Sequence, residues 1–265
     1  MSGVETDFRC HYDAVGRGLP ILCLAGFGCS NWIFADLAEG LADKAQSIMP
    51  DARGMGRSPR AEAPYSIAGL AADGLALMDR LGIERFAVMG ISMGGFVAQS
   101  LCLSAPKRVR ALLLLCSSGA GSGYVPLPEL DERELAQWYN EDPEKIARAN
   151  TRATTHPSFE RDNPTAFEAV VRAKRMHRAP LDQLLLQQKA VLEFVREPMP
   201  LEHIDCPSLV LSGAADRFVA PENSRLLARQ LPRARLCLFP ESDHLFFLEK
   251  PGPVTAAILD FLEGL

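Results

Sequence analysis

No stretch of this chain is apolar for long enough to cross a bilayer. The longest purely apolar run, Ala111 to Cys116, is a strand's length. Met1 to Asp13 lacks the basic start and apolar stretch of a secretory leader. No C-x-x-C occurs among the cysteines at positions 10, 23, 29, 102, 116, 206 and 237, and their number is odd. That argues against a disulfide framework and for reduced, mostly buried thiols in a cytoplasmic protein. H-E-x-x-H and H-x-H are missing, so no metal is expected. G-x-G-x-x-G and G-x-x-x-x-G-K-[ST] are missing too, so no nucleotide cofactor is expected. Lys and Arg number 28 against 33 Asp and Glu, a net charge of −5. This acidic balance speaks against nucleic acid as a partner, and nothing suggests a membrane. No internal repeat or low-complexity tract is visible, and the oligomeric state is not legible.

What is present is a strand–helix rhythm. The 265 residues are 48% hydrophobic and 23% charged, enough for one large core. Apolar runs at 19–24, 45–49, 86–89, 109–116, 208–212 and 234–239 read as strands. Amphipathic stretches at 32–41, 67–81, 93–103, 221–231 and 251–262 read as helices, with Ser66 as an N-cap. Such alternation predicts an α/β fold with a mostly parallel open sheet flanked by helices. The rhythm breaks after Cys116. Ser117 to Gly123 reads as a flexible hinge, and 128–194 holds no convincing strand. It holds helical stretches at 129–139, 143–151, 163–177 and 181–196. The organisation is therefore a core domain over 1–117 and 198–265, with a helical cap over 118–197.

Gly90-Ile-Ser-Met-Gly-Gly95 lies between the strand at 86–89 and the helix from Met93. A strand-to-helix turn this tight crowds the positions two residues either side of Ser92, and Gly90 and Gly94 remove the collision. Ser92 is then the candidate nucleophile. It needs a base, and the base needs an orienting acid. His244 follows the strand at 234–239, at the same sheet end as Ser92. His11, His156, His177 and His203 fall elsewhere. Asp216, in the loop after 208–212, is the candidate acid, although a turn or capping residue would look the same. Glu241 and Asp243 are rival acids beside His244. The Met93 N–H, at the helix start, and the Phe27 N–H, in Ala25-Gly-Phe-Gly28, are candidate oxyanion donors. Asp51-Ala-Arg-Gly-Met-Gly-Arg57 reads as a structural loop.

Taken together, the segments 25–28, 51–58, 90–95, 213–216 and 243–244 resemble the α/β-hydrolase superfamily over nearly the whole chain outside the insertion. The nearest subgroup in pattern is small capped bacterial serine esterases. It also takes in enol-lactonases, carbon–carbon bond hydrolases of aromatic breakdown and pimeloyl-carrier-protein methyl esterases. The resemblance implies an α/β-hydrolase fold with the cap inserted after strand 6, here the strand at 109–116. It implies a Ser92, His244, Asp216 triad with Phe27 and Met93 as oxyanion donors. No cofactor is needed. The chain departs from the family at Ala25, where a histidine is usual, and at Asp243, where glycine is common. A carboxylate close to the imidazole would raise the His244 pKa.

Specificity is expected in the cap. Trp138, Tyr139, Phe159 and Phe167 either line a substrate pocket or pack the cap. Arg172, Lys174, Arg175 and Arg178, with Arg148 and Arg152, either form a solvated face or receive an acyl carrier protein or a substrate carboxylate. The expected activity is carboxylic ester hydrolysis on a small-molecule substrate. Lactone or carbon–carbon cleavage with the same triad, and a ligand sensor without turnover, are the alternatives.

Overall fold

The alternation of apolar and amphipathic segments builds one seven-stranded sheet in the computed structural model, which describes residues 8–127 and 131–265. The strands are β1 (Tyr12–Gly16), β2 (Leu19–Leu24), β3 (Ala45–Pro50), β4 (Phe86–Ile91), β5 (Val109–Leu115), β6 (Ser208–Gly213) and β7 (Ala234–Phe239). Their order across the sheet is β1-β3-β2-β4-β5-β6-β7. β1 runs antiparallel to β3, and every other neighbouring pair is parallel. The register Met89↔Leu113, Leu113↔Leu209, Leu209↔Arg235 aligns the carboxyl ends of β4 to β7 along one edge. Loops leaving that edge are therefore neighbours, whatever their separation along the chain.

β4 is buried at every residue, and its alternate side chains enter two different cores. Met89 faces the cluster holding Leu37, Phe246 and Ile258. Val88 faces the cluster holding Ile67, Phe96 and Leu227. The first is covered by α1 (Ala35–Leu41) and α11 (Pro251–Glu263). The second is covered by α2 (Ile67–Arg80), α3 (Met93–Ser104) and α9 (Pro221–Gln230). The Ser66 side chain accepts the Gly69 N–H at 3.0 Å, as its N-cap position predicts. The helix expected from residue 32 opens as a 3₁₀ turn, Asn31–Phe34, before α1.

Among the described residues, five α-helices stand between β5 and β6: α4 (Glu132–Tyr139), α5 (Pro143–Thr154), α6 (Phe159–Asp162), α7 (Pro164–Met176) and α8 (Leu181–Phe194). α4 is capped by Asp131, and the expected helical residues 129 and 130 lie outside the described residues. So do the first seven residues of the N-terminal segment read as leaderless. A short α10 (Phe246–Glu249) precedes α11 and has no clear sequence signal.

The expected flexible hinge at 117–123 is corrected. Residues 117–120 are buried, Ser117 Oγ donates to Ser92 O at 2.8 Å, and Gln99 Nε2 donates to Ser118 O at 2.9 Å. Small residues serve here to fit the backbone under α3, not to loosen it.

The approach of α3 to β2 leaves no room for a side chain at the glycines of the turn. A Cβ at Gly94 would lie 2.0 Å from Leu24 O, and one at Gly90 would lie 2.3 Å from Gly94 O. Gly94→Ala is predicted to cost about 3 kcal/mol or more. Gly69→Ala, within α2, where a Cβ would meet only Ser66 Oγ at 3.6 Å, is predicted to stabilise by about 0.4–1 kcal/mol. Thermal melts of the two variants check this; a Gly94→Ala melt matching wild type would refute the steric reading.

Candidate active site

Ser92 occupies the turn between β4 and α3 with φ 53° and ψ −118°. A non-glycine residue there is strained by about 1–3 kcal/mol and must be held by its surroundings. Its N–H donates to Leu115 O at 2.8 Å, and its carbonyl accepts the Gly95 N–H at 2.8 Å as well as the Ser117 hydroxyl. The hydroxyl of Ser92 is left at the carboxyl edge of the sheet.

Asp216 and His244 come from the β6 and β7 loops at that edge. Asp216 Oδ2 and His244 Nδ1 are 2.9 Å apart, with both residues buried. Asp216 Oδ1 accepts the Phe218 and Val219 N–H groups at 2.9 and 2.8 Å. One carboxylate thus does both things its position allows: one oxygen closes the turn and the other orients the imidazole. No hydrogen bond joins Ser92 Oγ to His244 among the described residues. Cys116, just after β5, faces the His244 imidazole and the Ser92 backbone. It is buried at φ 42°. Sequence reading gave this thiol no role beyond core packing; the signal was its place immediately after a central strand, at the edge shared with Ser92.

Burial disfavours a charged imidazole at His244, but the Cys116 and Asp216 contacts outweigh it and hold the pKa above the usual imidazole range. Burial also pushes the Cys116 thiol up. Asp243 makes no hydrogen bond to the ring among the described residues. Its carboxylate turns to Arg217, accepting Nε–H at 2.5 Å and the Arg217 backbone N–H at 2.9 Å, and it also accepts the His244 backbone N–H at 2.8 Å. It shapes the loop instead. Glu241, the other rival, is exposed with φ 49°.

The loop 25–30 lies against Ser92: a Cβ on Gly26 would stand 3.4 Å from Ser92 Cβ. Gly28 N–H donates to Gln187 Oε1 of α8 at 2.6 Å, and Cys29 N–H to Gly26 O at 3.1 Å. The N–H groups of Phe27 and Met93 donate to none of the described residues. Met93 opens α3, where N–H groups lack helical acceptors and favour negative charge. Gln187 is a residue that sequence reading missed. It reaches the loop across 159 positions from inside the cap, and no local pattern announces it.

The aromatic candidates of the cap divide between packing and surface positions. Phe159 and Phe167 are buried on each other with Ala147 and Val171. Tyr139 lies under the Arg178 guanidinium at 3.7 Å, and Trp138 is 39% exposed. The arginines of the basic cluster are mostly paired within the cap. Arg148 bonds Glu144 and Glu168, Arg152 bonds Glu160, and Arg175 stands 3.5 Å from Glu144. Among the described residues, no group of three or more His, Cys, Asp or Glu is arranged to hold a metal, and no helix is long and apolar enough to cross a membrane.

A strained serine at a strand–helix turn and a buried Asp–His pair, all at one edge of a parallel sheet, define a hydrolase-type site. The family model described as the alpha/beta hydrolase fold matches residues 20–251, and the chain belongs to that family. Over 92% of its length it is 30% identical to a candidate carbamate hydrolase, RutD, of Caulobacter sp. (strain K31), covering 90% of that protein. It is also 30% identical to a 2-hydroxy-6-oxononadienedioate/2-hydroxy-6-oxononatrienedioate hydrolase of Paraburkholderia phymatum, over 97% of this chain and 92% of that one. Among solved structures, a thermophilic esterase from Thermogutta terrifontis superposes with a TM-score of 0.82 at 25% identity, over 99% of this chain and 97% of that one.

Arg217 ties this site to the cap, donating to Arg152 O at 3.0 Å and Thr155 O at 2.8 Å as well as to Asp243. Arg217→Ala leaves the buried Asp243 carboxylate without its cation. The guanidinium is half exposed, so the predicted loss is about 1–3 kcal/mol rather than the full cost of breaking a buried pair. Hydrogen exchange should show 152–156 and 243–245 opening together; unchanged protection in both would contradict this link.

Proposed function

We propose that this protein is a serine hydrolase of carboxylic esters that works through an acyl-enzyme on Ser92. The observation that carries the reading is the 2.9 Å bond from Asp216 to His244 Nδ1. It leaves Nε2 as the free ring nitrogen and fixes the tautomer a base requires. In this mechanism His244 Nε2 takes the Ser92 proton as Oγ bonds to the ester carbonyl carbon. The oxyanion is held by the Phe27 and Met93 N–H groups. His244 returns the proton to the departing alkoxide, leaving the acyl group on Ser92. Water then attacks the acyl carbon, giving its proton to His244, which passes it back to Ser92 Oγ as the carboxylic acid leaves.

The relative from Paraburkholderia is named for hydrolysis of 2-hydroxy-6-oxononadienedioate and 2-hydroxy-6-oxononatrienedioate, and in a second reading the same three side chains cleave a carbon–carbon bond. Lactone opening needs no change in the residues. A substrate panel separates these activities, since they share one nucleophile.

Ser92→Ala is predicted to reduce kcat on p-nitrophenyl butyrate to below about 10⁻⁴ of wild type, with the fold intact by circular dichroism. Retained turnover would sink the proposal.

The pH dependence follows from the sign of the His244 shift. Only the neutral imidazole accepts the proton, so kcat/KM should climb with pH, with an acid limb above about 6.5, the ordinary imidazole value. Asp216→Asn should move that limb downward while lowering the rate. A limb at or below the ordinary value in wild type would contradict the assignment of His244 as an Asp216-coupled base.

A further inference from the structure

One cation of the cap basic cluster is unlike the others. Phe167, Val170, Val171 and Lys174 fall at the helical spacing of a single face of α7. The first three are buried. Lys174 therefore stands where that pattern calls for an apolar side chain. Val170, one turn before it, packs in the same core as Ile33 and Phe34, which follow the loop at 25–30, and Leu245 and Phe246, which follow His244. The Lys174 ammonium donates to Thr154 Oγ1 at 3.0 Å and to Asn150 Oδ1. Thr154 in turn accepts the Leu245 N–H through its carbonyl at 2.9 Å, so the ammonium is two bonded groups from the residue after His244. Its charge also acts on Cys29, at the end of the loop carrying Phe27.

Both acceptors are neutral. No carboxylate among the described residues pairs with Lys174, whereas Arg148, Arg152 and Arg175 around it each have one. Burial pushes its pKa down to about 8, the cost of an ammonium withdrawn from water without a counter-charge. It stays mostly charged at neutral pH. An inward cation with two neutral hydrogen bonds retains a third N–H to donate and a charge to be compensated. A small-molecule carboxylate meets both needs.

We propose that Lys174 is a substrate-binding residue that receives a carboxylate, so that the natural substrate is an anionic ester held under the cap. This rests on the reading of Ser92 as the nucleophile for the choice of ester, but not for the binding of the anion. Arg148, Arg152 and Arg175 do not compete for this role, being engaged with glutamates, and Arg178 donates to the Tyr139 carbonyl.

Two measurements test the proposal. The first compares p-nitrophenyl esters ending in a carboxylate (glutarate, adipate, suberate) with methyl-ended esters of equal length. Wild type is expected to favour the best anionic ester about tenfold or more in kcat/KM, chiefly through KM. Lys174→Met, which keeps the length and removes the charge, should bring that ratio to near one. Lys174→Arg should restore much of it. The second is thermal stabilisation of Ser92→Ala by adipate, with and without Lys174→Met, which needs no turnover. Stabilisation that Lys174→Met abolishes supports the site even if no ester is hydrolysed, an outcome that would overturn the esterase reading alone. Ester turnover with no anionic preference, or a preference and a stabilisation that survive Lys174→Met, overturns the proposal and leaves the esterase reading standing.

Discussion

The close approach of α3 to the end of β2 constrains everything built on this sheet. Carbonyl oxygens of Leu24 and Gly94 stand where Cβ atoms at Gly94 and Gly90 would go. Only glycine satisfies both, and only then can Ser92 be lifted into its φ 53° conformation. The strain is held by Leu115, Gly95 and Ser117, which bond the Ser92 backbone from three sides. Parallel register then aligns the loops after β6 and β7 with that turn, which brings Asp216 and His244 to the same edge without local sequence contact.

The cap enters both cores, through Val170 on one side and Ala190 and Phe194 on the other, and polar contacts tie it to this edge as well. Gln187 holds Gly28, Gln183 bonds both backbone groups of Ala61, and Arg217 bonds Arg152 and Thr155 carbonyls. Glu249 adds its two oxygens to the Asp243 and His156 N–H groups. The loop at 25–28 lacks the family's histidine at Ala25, and a cap glutamine supplies a support for it. Cap position and the shape of that loop are therefore mechanically coupled, and Lys174 projects from the same cap.

Local chemistry was legible in the sequence. The strands at 19–24 and 208–212 appear where their apolar runs place them, because a doubly covered parallel strand has a continuous apolar signature, and the half-buried edge strand at 234–239 appears where expected too. Asp216 and His244 lie bonded in the loops assigned to them. Contacts across long separations were not legible. Gln187, Arg217 and Lys174 carry no motif, and their partners are set by how the cap folds back. The segment at 117–123 misled because small residues signal either looseness or tight fit, and only the packing of α3 decides which. Asp243 is next to His244 in sequence, yet its carboxylate bonds Arg217, a partner that only the fold brings near.

The central claim is that Ser92 is the nucleophile. Treatment with a fluorophosphonate followed by peptide mass spectrometry tests it most directly, because only a serine activated by its base reacts rapidly. The account predicts a single adduct on Ser92 that forms in step with loss of ester hydrolysis. An adduct on another residue, or full inhibition with Ser92 unmodified, would contradict it.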